Sequence, residues 1–355
     1  MKLENPNSIL TVDLAAVKKN LKVLKRRSIS GRVMAVVKVN AYNHGAVSCS
    51  RYLEPDLDAF AVATVDEAVE LREAGIGKEI LVFGVPDKDT AGICLNRKIT
   101  VTVSHRDHFQ ILKEGMKYHL NFDTGMRRLG FNPSEAEEVL ELMSSHPDLS
   151  CRGIYSHYAN ADDPGDESVI RQNRAFEKIR GQFGGLPAHM SNTGAVMHYD
   201  VNHFDMVRAG LGLFGYTPGR HQPKELQPVL TWESRIVQVR KIRKGDSVSY
   251  GGNWNSPEDG YLGTIPVGYA DGIPRSLSNK LEVALEGRRY PVVGNITMDS
   301  CMVYFGKRQI RQGTEVELLG GSALTVADWA ERAGSIPHEI LCRLNGRMTR
   351  SYRFS

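Results

Sequence analysis

The stretch AVVKVNAYNHG, residues 35–45, runs three apolar residues into a lysine and then into a short polar segment with a tyrosine, a histidine and a glycine. A helix-like run, GAVSCSRYLE at 45–54, follows directly, so the two read as one βα unit. The same rhythm extends in both directions. ILTVDL precedes AAVKKNLKVLKRR, DAFAVAT precedes VDEAVELREAG, and EILVFG, ITVTVS, KYHLNFDTG, LSCRGIYSHY, AHMSNT and FDMVRAGLGLFGY carry it on to residue 216. Parallel strands need a crossover, usually a helix, so repeated βα units predict a parallel sheet covered by helices, and about eight of them predict a (β/α)8 barrel.

After PGRHQPKELQP at 218–228 the pattern changes. TWESRIVQVRKI, DSVSYGG, GYLGTIPVG, LEVALEGRRYPVVG, CMVYFG and TEVELLGG are separated by Gly and Asp turns with a single helix, TVADWAERAG, near the end. That spacing predicts a mainly antiparallel β domain. The expected boundaries are 1–225 for the barrel and 226–355 for the β domain.

At 355 residues the chain exceeds one ordinary core, which agrees with a large barrel or two domains. A net charge of +4 gives no bias toward nucleic acid or a membrane surface. Five scattered cysteines, without a C-x-x-C pair, point to reduced thiols rather than a disulfide frame or a zinc site. No run has the length of a signal peptide core or a membrane span, so a cytoplasmic protein is expected.

Barrels gather functional groups at the C-terminal ends of their strands. Lys38 closes the second strand of the series, Arg127 and Arg128 follow KYHLNFDTG, His157 follows another strand in IYSHYAN, and Arg208 lies in the last. Each alone reads most simply as a solvated rim residue or a structural histidine. Together they put several cations on one rim, and their mutual repulsion calls for an anionic ligand. A lysine at the end of an apolar strand must be paired, neutralised or chemically used. GLGLFG at 210–215 fits the dinucleotide fingerprint literally but stands at the end of the βα series, so its glycines read as close-approach donors for one phosphate. HEILC at 338–342 lacks the second histidine of a zinc helix, and no metal is expected.

In AVVKVNAYNHG, DTGMRRLG, SNTG, VRAGLGLFG, VSYGGNW, IPVGYADGIPR, GNITMDSCM and GRMTRSYRF the chain resembles the alanine racemases, bacterial enzymes that use pyridoxal phosphate. The resemblance runs nearly end to end. It implies that Lys38 binds the cofactor covalently and then serves as one of two bases, the other being Tyr250 of the partner subunit in a homodimer with shared active sites. Arg128 and the Met298 backbone would hold the substrate carboxylate, with Tyr269 lining the entrance. Arg208 would face the pyridine nitrogen and be hydrogen-bonded by His157. Tyr42, Thr193, Gly210, Leu211 and Tyr352 would hold the phosphate, with Asn192 beside the cofactor. The implied activity is the conversion of L-alanine to D-alanine for peptidoglycan.

The chemistry asks for such groups. Inverting a stereocentre by proton transfer needs a proton removed from one face and delivered to the other, hence two bases. Lysine and tyrosine ordinarily titrate near about 10.4 and about 10, and neighbouring arginines favour the neutral amine and the phenolate alike.

Three positions depart from the family pattern. Asn43 stands where glycine is common, although asparagine tolerates left-handed backbone angles. Asn121 replaces a lysine that many members carry carbamylated, which leaves a chloride or Asp123 as the expected partner of Arg128. Thr193 replaces a serine and keeps the hydroxyl. An amino-acid decarboxylase would want an acid where Arg208 stands, and a non-catalytic cofactor-binding barrel would leave the β domain unexplained. A racemase of serine or of broader specificity stays open.

Overall fold

A computed structural model of the chain describes residues 5–28, 30–219, 222–344 and 347–354. These fall into two units, Lys18–Leu226 and Met1–Val17 with Gln227–Ser355. The start of the chain therefore departs from the expected division. Strand β1 (Asn5–Asp13), taken from its sequence as the first barrel strand, pairs instead with two strands of the second unit, β10 (Leu230–Arg235) and β17 (Met348–Arg353). A βα pattern reports a strand followed by a helix and not which sheet the strand joins, and the buried bond from Trp232 Nε1 to Ser8 Oγ, 2.8 Å, belongs to the second unit.

Without β1 the first unit has eight strands among the described residues: β2 (Val33–Val36), β3 (Ala59–Val62), β4 (Glu79–Val82), β5 (Val101–Val103), β6 (Lys117–Asn121), β7 (Ser150–Tyr155), β8 (Ala188–His189) and β9 (Val207–Ala209). They form two parallel runs, β4-β3-β2-β9 and β5-β6-β7-β8. Single parallel bridges, Leu81 to Thr100 and His189 to Met206, join the runs at both seams and close the barrel. Strands such as VMAV and AFAV are buried along their whole length, which is why they read as unbroken apolar runs. Helices occupy most crossovers, whereas β5 reaches β6 through the 3-10 turn Arg106–Gln110.

The second unit is a nine-stranded sheet in the order β11-β12-β15-β14-β13-β16-β10-β1-β17, with β11 (Gln238–Ile242), β12 (Gly260–Ile265), β13 (Glu282–Leu285), β14 (Arg288–Val293), β15 (Cys301–Tyr304) and β16 (Glu315–Leu319). Pairing is antiparallel except between β1 and β17. The helix Val326–Ala333 packs Trp329 against Trp232, ring centroids 6.0 Å apart.

Candidate active site

Lys38 follows β2 directly, and there the backbone does something the sequence did not announce. The run RVMAVVKVN reads as one strand, yet the strand ends at Val36 and Val39 through Asn43 all take positive φ, between 51° and 62°. Five left-handed residues, none of them glycine, cost about 1–2 kcal/mol each, so neighbours must over-determine the turn. Glu67 Oε1 accepts the Val39 N–H at 2.6 Å, while its Oε2 accepts Ala63 N–H at 2.8 Å. Asn40 Oδ1 accepts from Ala46 N at 2.7 Å, and His44 stacks on Phe214 at 4.1 Å. Asn43, φ 62°, sits where its tolerance of this region is needed.

Three other strand ends bring Arg128, His157 and Arg208 toward the same place. Burial and the charges of Arg208, Arg128 and Lys38 hold the His157 imidazole well below its usual range, so His157 is neutral in the midst of three cations. Arg208 is itself buried. Its Nη2 lies 2.7 Å from Ser156 O and 3.0 Å from His157 Nδ1, and its Nη1 lies 2.9 Å from both His189 Nδ1 and His189 O. Nε–H meets no acceptor among the described residues. Burial lowers the guanidinium to about 10, which still leaves it charged near neutrality.

Arg128 is exposed and makes no ion pair among the described residues. Its loop is held by neighbours. The Asp123 carboxylate, a sequence candidate for its partner, accepts instead from the backbone of Gly125 and Arg127 at 2.8 and 3.1 Å. Asn121 stitches the loop through Nδ2 to Leu129 O at 3.1 Å. A neutral amide at 121 thus holds the loop by hydrogen bonding to its backbone and offers Arg128 no anion.

A cradle lies beside these cations. Thr193 Oγ1 accepts from Gly210 N at 3.4 Å and Gly212 N at 3.1 Å. A Cβ on Gly210 would come 2.5 Å from the Tyr42 hydroxyl, and one on Gly212 2.7 Å from Thr193 Cγ2, so only glycine lets hydroxyls and backbone approach this closely. Leu211 continues the turn and Asn192 caps Thr193–His198 by accepting from Ala195 N. Two hydroxyls and glycine amides next to a lysine and a donor-only arginine suit a phosphorylated aldehyde with a ring nitrogen to accept from Nε. The chain matches the alanine racemase N-terminal domain over residues 12–218 and the C-terminal domain over 229–352. The chain belongs to the alanine racemase family.

Its relatives agree. The alanine racemase of Symbiobacterium thermophilum is 37% identical, with 96% of each chain covered. The crystal structure of alanine racemase from Streptomyces lavendulae superposes with a TM-score of 0.93 at 31% identity over 99% of this chain and 98% of that one. The Bartonella henselae alanine racemase, described with covalently bound pyridoxal phosphate, gives 0.90 at 28% identity over 98% and 100%. This family likeness covers both units.

The remaining family positions lie in the second unit. Tyr250 is 75% exposed, on a turn where Ser249 takes φ 66°. Asn295 ties that turn down, donating to Tyr250 O at 2.7 Å and accepting from Ser249 Oγ at 2.6 Å on its own carbonyl. The same loop carries Met298, whose carbonyl accepts from Ala270 N at 3.0 Å beside Tyr269. Tyr250, Tyr269 and Met298 are therefore presented by loops joined to one another. Tyr352 lies on β17, opposite Val12 of β1.

Two supporting groups escaped the sequence reading. Arg347 grips the fully buried Asp271 through Nε and Nη2, at 3.1 and 3.0 Å, and Asp299 through Nη1 at 2.8 Å, clamping both loops at once. Nothing in their spacing of dozens of residues could have paired them. Glu67 had a signal, the T-x-x-E capping box at Thr64–Glu67, but the second job of that carboxylate, at Val39, arises only in the fold.

Proposed function

We propose that this chain racemises alanine with pyridoxal phosphate in a homodimer whose two active sites are shared. The observation that carries the reading is the gathering of Lys38, Arg128 and Arg208 around the neutral His157, beside the Tyr42–Thr193–Gly210 cradle. When bound, the cofactor supplies an electron-withdrawing ring that acidifies the Cα proton of the substrate. The protein does the rest. Lys38, released by substrate, exchanges a proton on one face, and Tyr250 of the partner subunit exchanges one on the other. Arg128 holds the carboxylate, with the Met298 backbone, and fixes which faces the two bases meet. Tyr42, Thr193, Gly210, Leu211 and Tyr352 hold the phosphate, with Asn192 alongside.

Arg208 shapes the outcome. A guanidinium has donors only and keeps its protons, so it offers a ring nitrogen a hydrogen bond without protonating it, unlike a carboxylic acid. Side reactions that need a longer-lived charge on the ring are thereby disfavoured. The exposed Tyr250 supports the shared site, because a phenol that acts as a base must be covered when it works, and a second copy supplies the cover. Free thiols fit a reducing compartment, and D-alanine for cell wall is the fitting product use.

The test is direct. The protein is incubated with pyridoxal phosphate and each L-amino acid in turn, and the enantiomers are resolved by chromatography. Interconversion of alanine well above serine and larger amino acids is expected. Carbon dioxide release, no turnover, or a preference for another side chain would each overturn the assignment.

A further inference from the structure

The barrel interior holds a line of polar side chains that the racemisation chemistry does not use. It starts at Arg208 Nη1, which lies 2.9 Å from His189 Nδ1. His189 Nε2 lies 2.8 Å from His119 Nδ1, and His119 Nε2, which completes no hydrogen bond, comes within 3.4 Å of Glu79 Oε1. Both imidazoles are buried, and His189 stacks on Tyr155 at 5.1 Å. Glu79 is the first residue of β4 and one-third exposed, at the strand-start end of the barrel, and also accepts from Thr100 Oγ1 at 3.0 Å.

The arginine at one end of the line dictates the protons in it. Arginine can only donate, so His189 Nδ1 must accept and its proton must sit on Nε2. That proton points at His119 Nδ1, which must accept in turn, so the His119 proton also sits on Nε2 and faces the carboxylate. Burial and the charge of Arg208 keep His189 neutral, as this scheme requires. Burial pushes the Glu79 carboxyl up, but His119, Thr100 and the charge of Arg152 outweigh it and hold the group at about 2, so the acceptor is ionised. Both hydrogen bonds then run one way, from guanidinium to His119, whose Nε2–H is left facing the carboxylate across the 3.4 Å contact.

We propose that Glu79, His119 and His189 are positioning residues, a one-way relay of two hydrogen bonds and a terminal carboxylate contact across the barrel that fixes the Arg208 guanidinium in the orientation that aims Nε–H into the active site. The role, though not the relay itself, rests on the reading above that Arg208 faces the cofactor ring. It also accounts for an acid at the head of EILV, in a strand otherwise apolar and buried.

The experiment uses the full chain labelled with 15N-histidine, without cofactor and loaded with it, as native protein and as Glu79→Gln and Glu79→Leu. Glutamine keeps an acceptor for His119, and leucine removes it. Long-range proton–nitrogen spectra report which ring nitrogen carries each proton, with His119→Gln and His189→Gln used for assignment. Native and Glu79→Gln proteins should show His119 and His189 as single Nε2–H tautomers. Glu79→Leu should show His119 divided between tautomers, a displaced visible band of the bound cofactor, and kcat lowered about tenfold with KM little changed, while Glu79→Gln stays within about twofold of native. A native His189 protonated on Nδ1, or a Glu79→Leu spectrum identical to native, would overturn the relay. Altered tautomers with an unchanged band and kcat would overturn the positioning role. Failure of the racemase reading would appear in the amino-acid screen and leave the cofactor-free spectra untouched.

Discussion

In the barrel unit the reactive groups are held from within: Arg208 by buried carbonyls and imidazoles, the cradle by glycines that admit Tyr42 and Thr193, and Lys38 by a left-handed turn pinned at Glu67. In the β unit Tyr250, Tyr269 and Met298 are exposed, and what fixes them is the loops beneath, through Asn295 and the Arg347 clamp. One unit is finished by itself, whereas the other offers its groups to something outside. That difference is what the proposed shared active site would require, because a half that meets a partner cannot also bury the phenol it presents.

The comparison can be broken most decisively by separating the halves. Lys38→Ala and Tyr250→Phe should each lower racemisation about a thousandfold. Mixing the two inactive proteins, with exchange of subunits, should return activity, because one site of each mixed dimer keeps both bases. Failure to recover activity although mass spectrometry shows mixed dimers would place both bases in one subunit's own site.

Gly210→Ala tests the inward-held half. Its Cβ would fall 2.5 Å from the Tyr42 hydroxyl, and overpacking of this kind costs about 1–3 kcal/mol. The expected result is about ten- to a hundredfold weaker binding of pyridoxal phosphate, read by absorbance titration, with the β unit's contribution unchanged. The outward-held half answers to Arg347→Ala, which leaves Asp271 buried without its cation. A loss of about 2 kcal/mol in chemical denaturation is expected, together with a raised KM for alanine. An unaltered KM would show that the clamp serves stability alone.

A further contrast concerns pH. His157 and His189 are held well below their usual range in the folded barrel, so the unfolded chain binds a proton on each near about pH 6.5 that the folded chain refuses. Stability is thus full above that value and falls as the pH drops below it, by about 1.4 kcal/mol per pH unit for each imidazole. Denaturation of cofactor-free protein between about pH 7 and about pH 5 should show this slope, and His157→Gln should remove one imidazole's share. Tyr250→Phe, a change in the β unit, should leave the slope unaltered.

Much of the site was legible in the chain because its parts are local. AVVKVNAYNHG, DTGMRRLG and VRAGLGLFG each pack strand, turn and functional side chain into a few residues, and their order along the βα series placed them on one rim. The membership of β1 was not legible, since ILTVDL satisfies the strand pattern equally in either sheet. Neither was the left-handed turn after Val36, which no local preference favours and which depends on Glu67, Asn40 and Phe214 arriving from elsewhere.

By itself the sequence determined the alternation of strand and helix, the change to antiparallel β structure near residue 226, the residue types at each strand end and the family they belong to. Those are properties of periodicity and of short segments. Tertiary structure alone decided which sheet received the first strand, how Arg347 found Asp271 and Asp299, and how Arg208 came to be linked through two imidazoles to Glu79. Such side-chain pairings join residues from 19 to 224 positions apart, and the burial that makes their hydrogen bonds obligatory exists only once the chain has closed around them.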